Sequence, residues 1–323
     1  MPRSGTAVSR RRLPVSGLEV SAISVAVDPL GPDVTDDRRV AEQLRKARRF
    51  GVTTFDLSES RHPDRAEGVV REAFPGHDPD LVLIVSATST ESPSGAPNRL
   101  EPASGTPGDR LLRLSSVARL IGVLGEPAVA FGGAGAEGLR STGTPPGSAL
   151  LSDWALIDRL GPHIAGRDET LTSPLLIGPL SLLDHRAVAQ MERADPAAGP
   201  RYIVRDPYAG GRLDGSRFLS ILPERLGPHA PLGLRDLHAE FDPILRLGFL
   251  TEGHRRTLAQ AALQFALHWE WVATVTIPMP TPEQLESVLL AETVPPLTSE
   301  EIARVLALGA PLEESSHPQA TGP

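Results

Sequence analysis

The sequence predicts an α/β fold, a (β/α)8 TIM barrel entered through an N-terminal β-hairpin. Three observations lead there. Short apolar, β-branched runs alternate with amphipathic helical stretches along nearly the whole chain, the pattern of parallel βαβ units with helices outside. About eight strands can be marked out, and 323 residues suit one barrel of ~250 residues with insertions. LPVSGLEV, near the start, sets Ser-Gly between two short runs, a hairpin turn signal. A doubly wound sheet is the alternative arrangement of the same units.

The elements follow in order. SAISVAV (21–27) is small and β-branched enough for a buried strand. In DDRRVAEQLRKARRF (36–50), Val40, Leu44, Ala47 and Phe50 share one helical face, and Gly51 ends the helix. VTTFD (52–56) is a strand, DRAEGVVREAF a helix and LVLIVSA (81–87) a third strand. RLLRLSSVARLIGVLG reads as an amphipathic helix, PAVAFGG as a strand and LLSDWALIDRLG as another helix. PLLIGPLSLL and RYIVRDPYAGG read as strands six and seven, with the helix HRAVAQMERA between them. HRRTLAQAALQFALHWE is a long helix and VATVTIP the last strand. TPEQLESVLLAE and LTSEEIARVLALG are terminal helices, the second opened by a capping box from Thr298 to Glu301. Residues 1–311 are expected to form a single barrel domain and 312–323 a disordered tail. Segments 89–108 and 134–147, rich in Ser, Pro and Gly, have no apolar face and are expected as mobile surface loops.

Composition excludes several functions. Without cysteine there are no disulfides, thiolate metal sites or cysteine nucleophiles. A formal charge of −8 and a pI near 5.6 argue against a nucleic-acid surface. No apolar run of ~18 residues is present, and Arg10, Arg11 and Arg12 lead into no signal core, so a cytoplasmic protein without a membrane partner is expected. The sole lysine, Lys46, lies in LRKARR without the glycine frame of a P-loop. Tyr202 and Tyr208 are the only tyrosines. GAGAEG (133–138) satisfies G-x-G-x-x-G, but LRSTGTPPG follows and breaks the helix whose N-terminus would meet a pyrophosphate. His163 and His185 lie near strand ends without metal-ligand spacing, so no metal is expected.

Four blocks in order resemble the aldo-keto reductases, a family of NADP-dependent (β/α)8 barrels. RRLPVSGLEVSAISVAV resembles the family's opening, and FGVTTFDLSES with RHPDRAEGVVREAF its block from Gly-Val-x-x-Phe-Asp to a helical glutamate. RYIVRDPYAGGRLDG resembles the seventh strand and its loop. TLAQAALQFALHWEWVATVTIPMPTPEQLESVLLAE resembles the last barrel helix, the eighth strand and the adenosine-phosphate loop. The resemblance runs over roughly residues 10–310. It places Asp56 on the family's catalytic aspartate and Glu67 on the helical glutamate.

The resemblance also implies an Asp, Tyr, Lys and His acting together, with the tyrosine as proton donor. Here Arg61 stands at the tyrosine position, Ala87 near the lysine position, and Gly132, Gly133 and Ala134 where strand four should end in histidine. Of the four, Asp56 remains. On the cofactor side, Arg205 replaces the aromatic residue that stacks on nicotinamide, and Asp168 and Glu169 are nearest to the missing Ser-Asn. Pro278, Thr281, Gln284 and Glu286 keep the outline of the phosphate loop, while Val288 stands where an adenine-binding Asn is usual. NADPH is the candidate cofactor that the resemblance implies, with phosphate held by loop amides and helix N-termini.

Asp56 ends a barrel strand, where active groups gather on the C-terminal rim. Arg61, a short loop away, is placed to pair with it and lower its pKa. A structural ion pair at the mouth is the simpler reading. His62 titrates near neutrality and is a candidate proton donor in the tyrosine's place, although a loop histidine is more often only solvated. The leading reading is an aldo-keto reductase-like barrel that has lost most of the tetrad, degenerate or repurposed, binding a small molecule or partner. One rival is an active NADPH-dependent carbonyl reductase with His62 or Arg61 as electrophile. Another is a non-enzymatic regulatory or scaffolding subunit.

Overall fold

Strands form where the β-branched runs are, and their pairing places the candidate residues. The computed structural model describes residues 8–13, 18–27, 37–86, 114, 118–123, 149–150, 156–157, 176–192, 202–217 and 241–308. Strands β1 (Arg10–Arg12) and β2 (Glu19–Ser21) pair antiparallel, with Arg11 opposite Val20. The main sheet takes β3 (Ile23–Ala26), β4 (Thr54–Asp56), β5 (Val82–Ser86), β6 (Arg119–Val123), β7 (Ala149–Leu150), β8 (Leu156–Ile157), β9 (Leu176–Pro179), β10 (Tyr202–Arg205) and β11 (Val272–Ile277). Seven of these run parallel, in the order β9-β10-β11-β3-β4-β5-β6.

The sheet is curled. β7 pairs antiparallel with β9 at one edge of the parallel run, and β8 pairs antiparallel with β6 at the other. Only residues 151–155 join β7 to β8, and the six steps from Leu150 to Leu156 span at most ~20 Å. Laid flat, the same two strands would stand eight spacings of ~4.8 Å apart, nearly twice that reach. The two edges must therefore approach each other.

Side chains alternate between two apolar layers, as the pleat requires. Phe55, Leu83, Val85, Leu176, Tyr202 and Val204 face the helices. Helix α1 (Asp37–Arg49) buries Val40, Ala41, Leu44 and Ala47 there, and α2 (Pro63–Ala73) buries Ala66, Val69 and Val70. Helices α3 (Arg186–Met191), α4 (Leu258–Leu267), α5 (Pro282–Leu289) and α6 (Ser299–Ala307) complete this layer. Val82, Ile84, Ile177, Ile203 and Ala273 form the concave layer together with Leu13, Leu18 and Val20 of the β1–β2 pair. Burying each of those three hairpin side chains contributes ~1.5–3 kcal/mol.

Two polar devices fix that plug at the amino ends of the strands. The Arg11 guanidinium donates to the carbonyls of Leu267, Trp269 and Val272, which puts a cation on the C-terminal carbonyls of α4. The Ser21 hydroxyl accepts from the Thr53 and Thr54 amides, both at 3.0 Å, and donates to the Ile23 carbonyl at 2.7 Å.

Three expectations need correction. Residues 119–123, read as part of a helix, form the strand β6, because Leu120 and Ile121 complete a parallel ladder on β5. A short apolar run has no periodicity that separates the two states. Residues 156–157, also read as helix, pair as β8 with the far side of β6. The long helix expected from residue 254 begins at Leu258, where Thr257 and Gln260 form a capping box, and a 3-10 segment (Gly248–His254) precedes it. PAVAFGG, GAGAEG, the loops 89–108 and 134–147 and the tail 312–323 lie outside the described residues.

Candidate functional site

The carboxyl ends of β4 and β10 meet across the concave side of the sheet. Asp56, the last residue of β4, lies between Ala26 and Ile84 of the neighbouring strands and is 4% exposed. Its Oδ1 accepts from the Ser58 amide at 2.9 Å and from the Ser58 hydroxyl, an Asx turn that fixes the carboxylate. Its Oδ2 accepts from Arg205 Nη2 at 3.0 Å. Three strand spacings of ~4.8 Å separate β10 from β4 along the sheet, so this contact crosses the concavity.

Arg205 makes more of the site than Asp56 alone. Its Nη2 also donates to Ser58 Oγ, and its Nη1 donates to Glu59 Oε1. Its Nε is buried with no hydrogen-bond partner. Burial opposes the charge of the guanidinium, but attraction to Asp56 and Glu59 outweighs it and holds the group above its ordinary pKa. The two carboxylates differ: the Asp56 side chain is 3% exposed and that of Glu59 is 55% exposed. Partial desolvation, opposed by the attraction of Arg205, leaves the Glu59 carboxyl above its usual value.

The loop after β10 is shaped by backbone that turns left-handed. Asp206, at φ 50°, follows Arg205 directly, and its Oδ1 accepts from the Gly210 amide at 2.6 Å. Desolvation raises the Asp206 carboxyl, against the pull of that amide and of Arg212. Gly211, at φ 80°, holds a backbone conformation that a side chain would strain, and a Cβ there would press on Ser216 and the Arg217 amide. The Tyr208 hydroxyl is buried in this loop without a partner, and burial followed by nearby Asp214 pushes its phenol far up. Tyr202 is buried on the helix side, with its hydroxyl donating to the Pro179 carbonyl at 3.3 Å. Its phenol is also raised, chiefly by burial.

Arg61 and His62 lie in the turn that leads into α2, both half-buried. His62 is the N-cap of α2; its amide donates to Ser60 Oγ at 3.3 Å and its carbonyl accepts from the Ala66 amide at 3.0 Å. Glu67 is buried within α2. Asp56 is paired with Arg205, which sequence reasoning assigned to a different role.

In the loop before α5, Thr281 and Gln284 close on each other. The Gln284 amide donates to Thr281 Oγ1 at 3.3 Å, and the Thr281 amide donates to Gln284 Oε1 at 2.9 Å. Glu286 accepts from Lys46 of α1 at 2.7 Å. Among the described residues there is no group of three or more His, Asp or Glu that would hold a metal ion, and no helix long and apolar enough to cross a membrane.

No family model matches this chain, and no curated protein matches it. Solved structures do. The holo form of aldo-keto reductase AKR11C1 from Bacillus halodurans aligns over 95% of this chain and 99% of its own, with 18% identity and a TM-score of 0.58. The fold is aldo-keto reductase-like. The apo form of the same reductase covers the same shares at 16% identity and a TM-score of 0.49.

The resemblance implies a nicotinamide cofactor, and the described residues assigned to NADPH offer it few free donors. At this helix start the amides of Thr281 and Gln284 are both spent on capping, and Pro282 has none. None of Pro278, Thr281, Gln284 and Glu286 is cationic, and the one charged member is already paired. Arg205 is paired with Asp56 and Glu59.

Sequence reasoning missed Ser58, Glu59 and Asp206. The spacing Asp-x-Ser is a recognisable Asx-turn signal that could have found Ser58. Nothing local links Arg205 to Asp56, 149 positions away.

Proposed function

We propose that this chain is a (β/α)8 barrel of the aldo-keto reductase type, cytoplasmic, turned from carbonyl reduction to the binding of a small molecule at its mouth: a pseudoenzyme. The observation that carries this reading is the Arg205 guanidinium, which bridges from β10 to Asp56 and Glu59 at the strand ends. Reducing a carbonyl needs a group that can give up a proton within hydrogen-bond reach of the oxygen. An arginine donates hydrogen bonds but keeps its proton, with a pKa above ~12. The tyrosines and the lysine support the same reading. Both tyrosines are pushed further from neutrality by burial. The single lysine is tied to Glu286 on the helical layer.

The test is NADPH oxidation by the full chain over a panel of aldehydes, ketones and quinones, beside a conventional reductase of this fold. The expected outcome is turnover at least ~10²-fold below the reference, the cost of losing a general acid. Robust turnover abolished by His62→Ala overturns the proposal in favour of an active reductase. A thermal shift with NADPH but no turnover keeps the binding role and makes the cofactor the ligand.

A further inference from the structure

We infer that the mouth of the sheet is a receptor for a small carboxylate, and that Glu59 holds the ligand's place on Arg205 until it arrives. This rests on the binding role proposed above and names its ligand class.

Arg205 holds two carboxylates of unequal standing. Asp56 ends a strand, is 3% exposed and is fixed by both the amide and the hydroxyl of Ser58, so it belongs to the frame. Glu59 comes from the turn between β4 and α2, is 55% exposed and meets the guanidinium through Nη1. It can leave into water without disturbing a strand or a helix. Nε of the same guanidinium is buried and unpartnered, so the chain's own acceptors do not exhaust its donors.

Charge decides which ligand can enter. Asp56 and Glu59 set two carboxylates about one Arg205, and Asp206, facing Arg212, adds its repulsion to Glu59. Adding a further anion to that group is opposed. Exchanging one carboxylate for another leaves the balance as it was, while the released Glu59 side chain recovers its hydration. The planar guanidinium suits this exchange, because a carboxylate accepts from it in the same geometry that Glu59 uses now. A neutral amide of the same shape has no full charge to replace the one that leaves.

Isothermal titration calorimetry on the full chain at low ionic strength, with benzoate and its neutral match benzamide, tests this. Benzoate should bind and benzamide should not. Glu59→Gln and Glu59→Ala, which remove the competing charge at an exposed position, should each tighten benzoate about five- to tenfold, within the usual size of such couplings. The double variant Asp56→Asn/Arg205→Met, which strands no buried charge, should lose the binding. Unchanged benzoate affinity in both Glu59 variants, or equal binding of benzamide, overturns the inference. The two proposals fail separately. Carbonyl turnover with benzoate binding as expected removes the pseudoenzyme reading and keeps this site. Absence of benzoate binding in every variant removes this site whatever the reductase assay shows.

Discussion

Lys46 on α1 donates to Glu286 on α5 at 2.7 Å, joining two helices that lie far apart in sequence. The pair sits on the helical layer, with Lys46 26% and Glu286 58% exposed at the side chain. Ion pairs this open to water are worth ~0–1 kcal/mol. Lys46→Met should lower the unfolding free energy by no more than that in urea titrations, and benzoate affinity should not change. A large loss of either would give the lone ammonium a role beyond this seam.

Arg205→Met should be costly for a different reason. It leaves Asp56 buried and without its counter-charge, a change that typically costs ~3–5 kcal/mol. Adding Asp56→Asn to the same chain should recover most of the loss, since the stranded charge is gone. Denaturant midpoints of the two singles and the double close the cycle, and strict additivity would show the two side chains to be energetically independent.

The capping boxes at Thr257 and Thr281 have the same form on α4 and α5. Replacing either threonine by alanine removes the acceptor for an orphan amide and should cost ~1 kcal/mol. Thermal melts of each variant measure it. Thr281→Ala should leave the response to benzoate unchanged, because that threonine acts on its own helix.

His185 gives the fold a slope on the acid side of neutrality. It is 8% exposed, edge-on to Phe265 at 6.3 Å, and its Nδ1 is buried without a partner. Desolvation lowers its pKa below the ordinary 6.5, against the opposing pull of Asp184 and of the Leu306 backbone. The unfolded chain therefore binds a proton that the folded chain resists. Stability is complete above ~6.5 and falls as pH drops below it toward the folded-state pKa. Urea midpoints between pH 7.5 and 5.5 should fall, and His185→Gln should flatten that slope. An equal fall in the variant would assign the slope to other groups.

How much could be read in advance depended on the range of each interaction. Gly51 after α1 and the Thr298–Glu301 box opening α6 are local signals, and both elements lie where they indicate. The runs at Ile23–Ala26, Thr54–Asp56, Val82–Ser86 and Val272–Ile277 were legible from their β-branched residues. Arg119–Val123 was not, because RLIGV continues an amphipathic pattern and only its pairing with β5 makes it a strand. At the site, the run VTTFD placed Asp56 at a strand end, and resemblance gave it a role. Its partner was hidden because a guanidinium on β10 reaches it only when the sheet curls, and that is a property of the assembled fold.

The short strands β7 and β8 also have a consequence for the protein's behaviour in company. The outer strands of a parallel run carry unpaired N–H and C=O groups, a ready template for a second chain to extend the sheet. Here Ala149–Leu150 lies on β9 and Leu156–Ile157 on β6, each antiparallel and two residues long. Both places where an intruding strand would begin to pair are thus already taken. The chain supplies its own guard against edge-to-edge aggregation, and any change that frees Ala149–Leu150 and Leu156–Ile157 would expose two sticky borders at once.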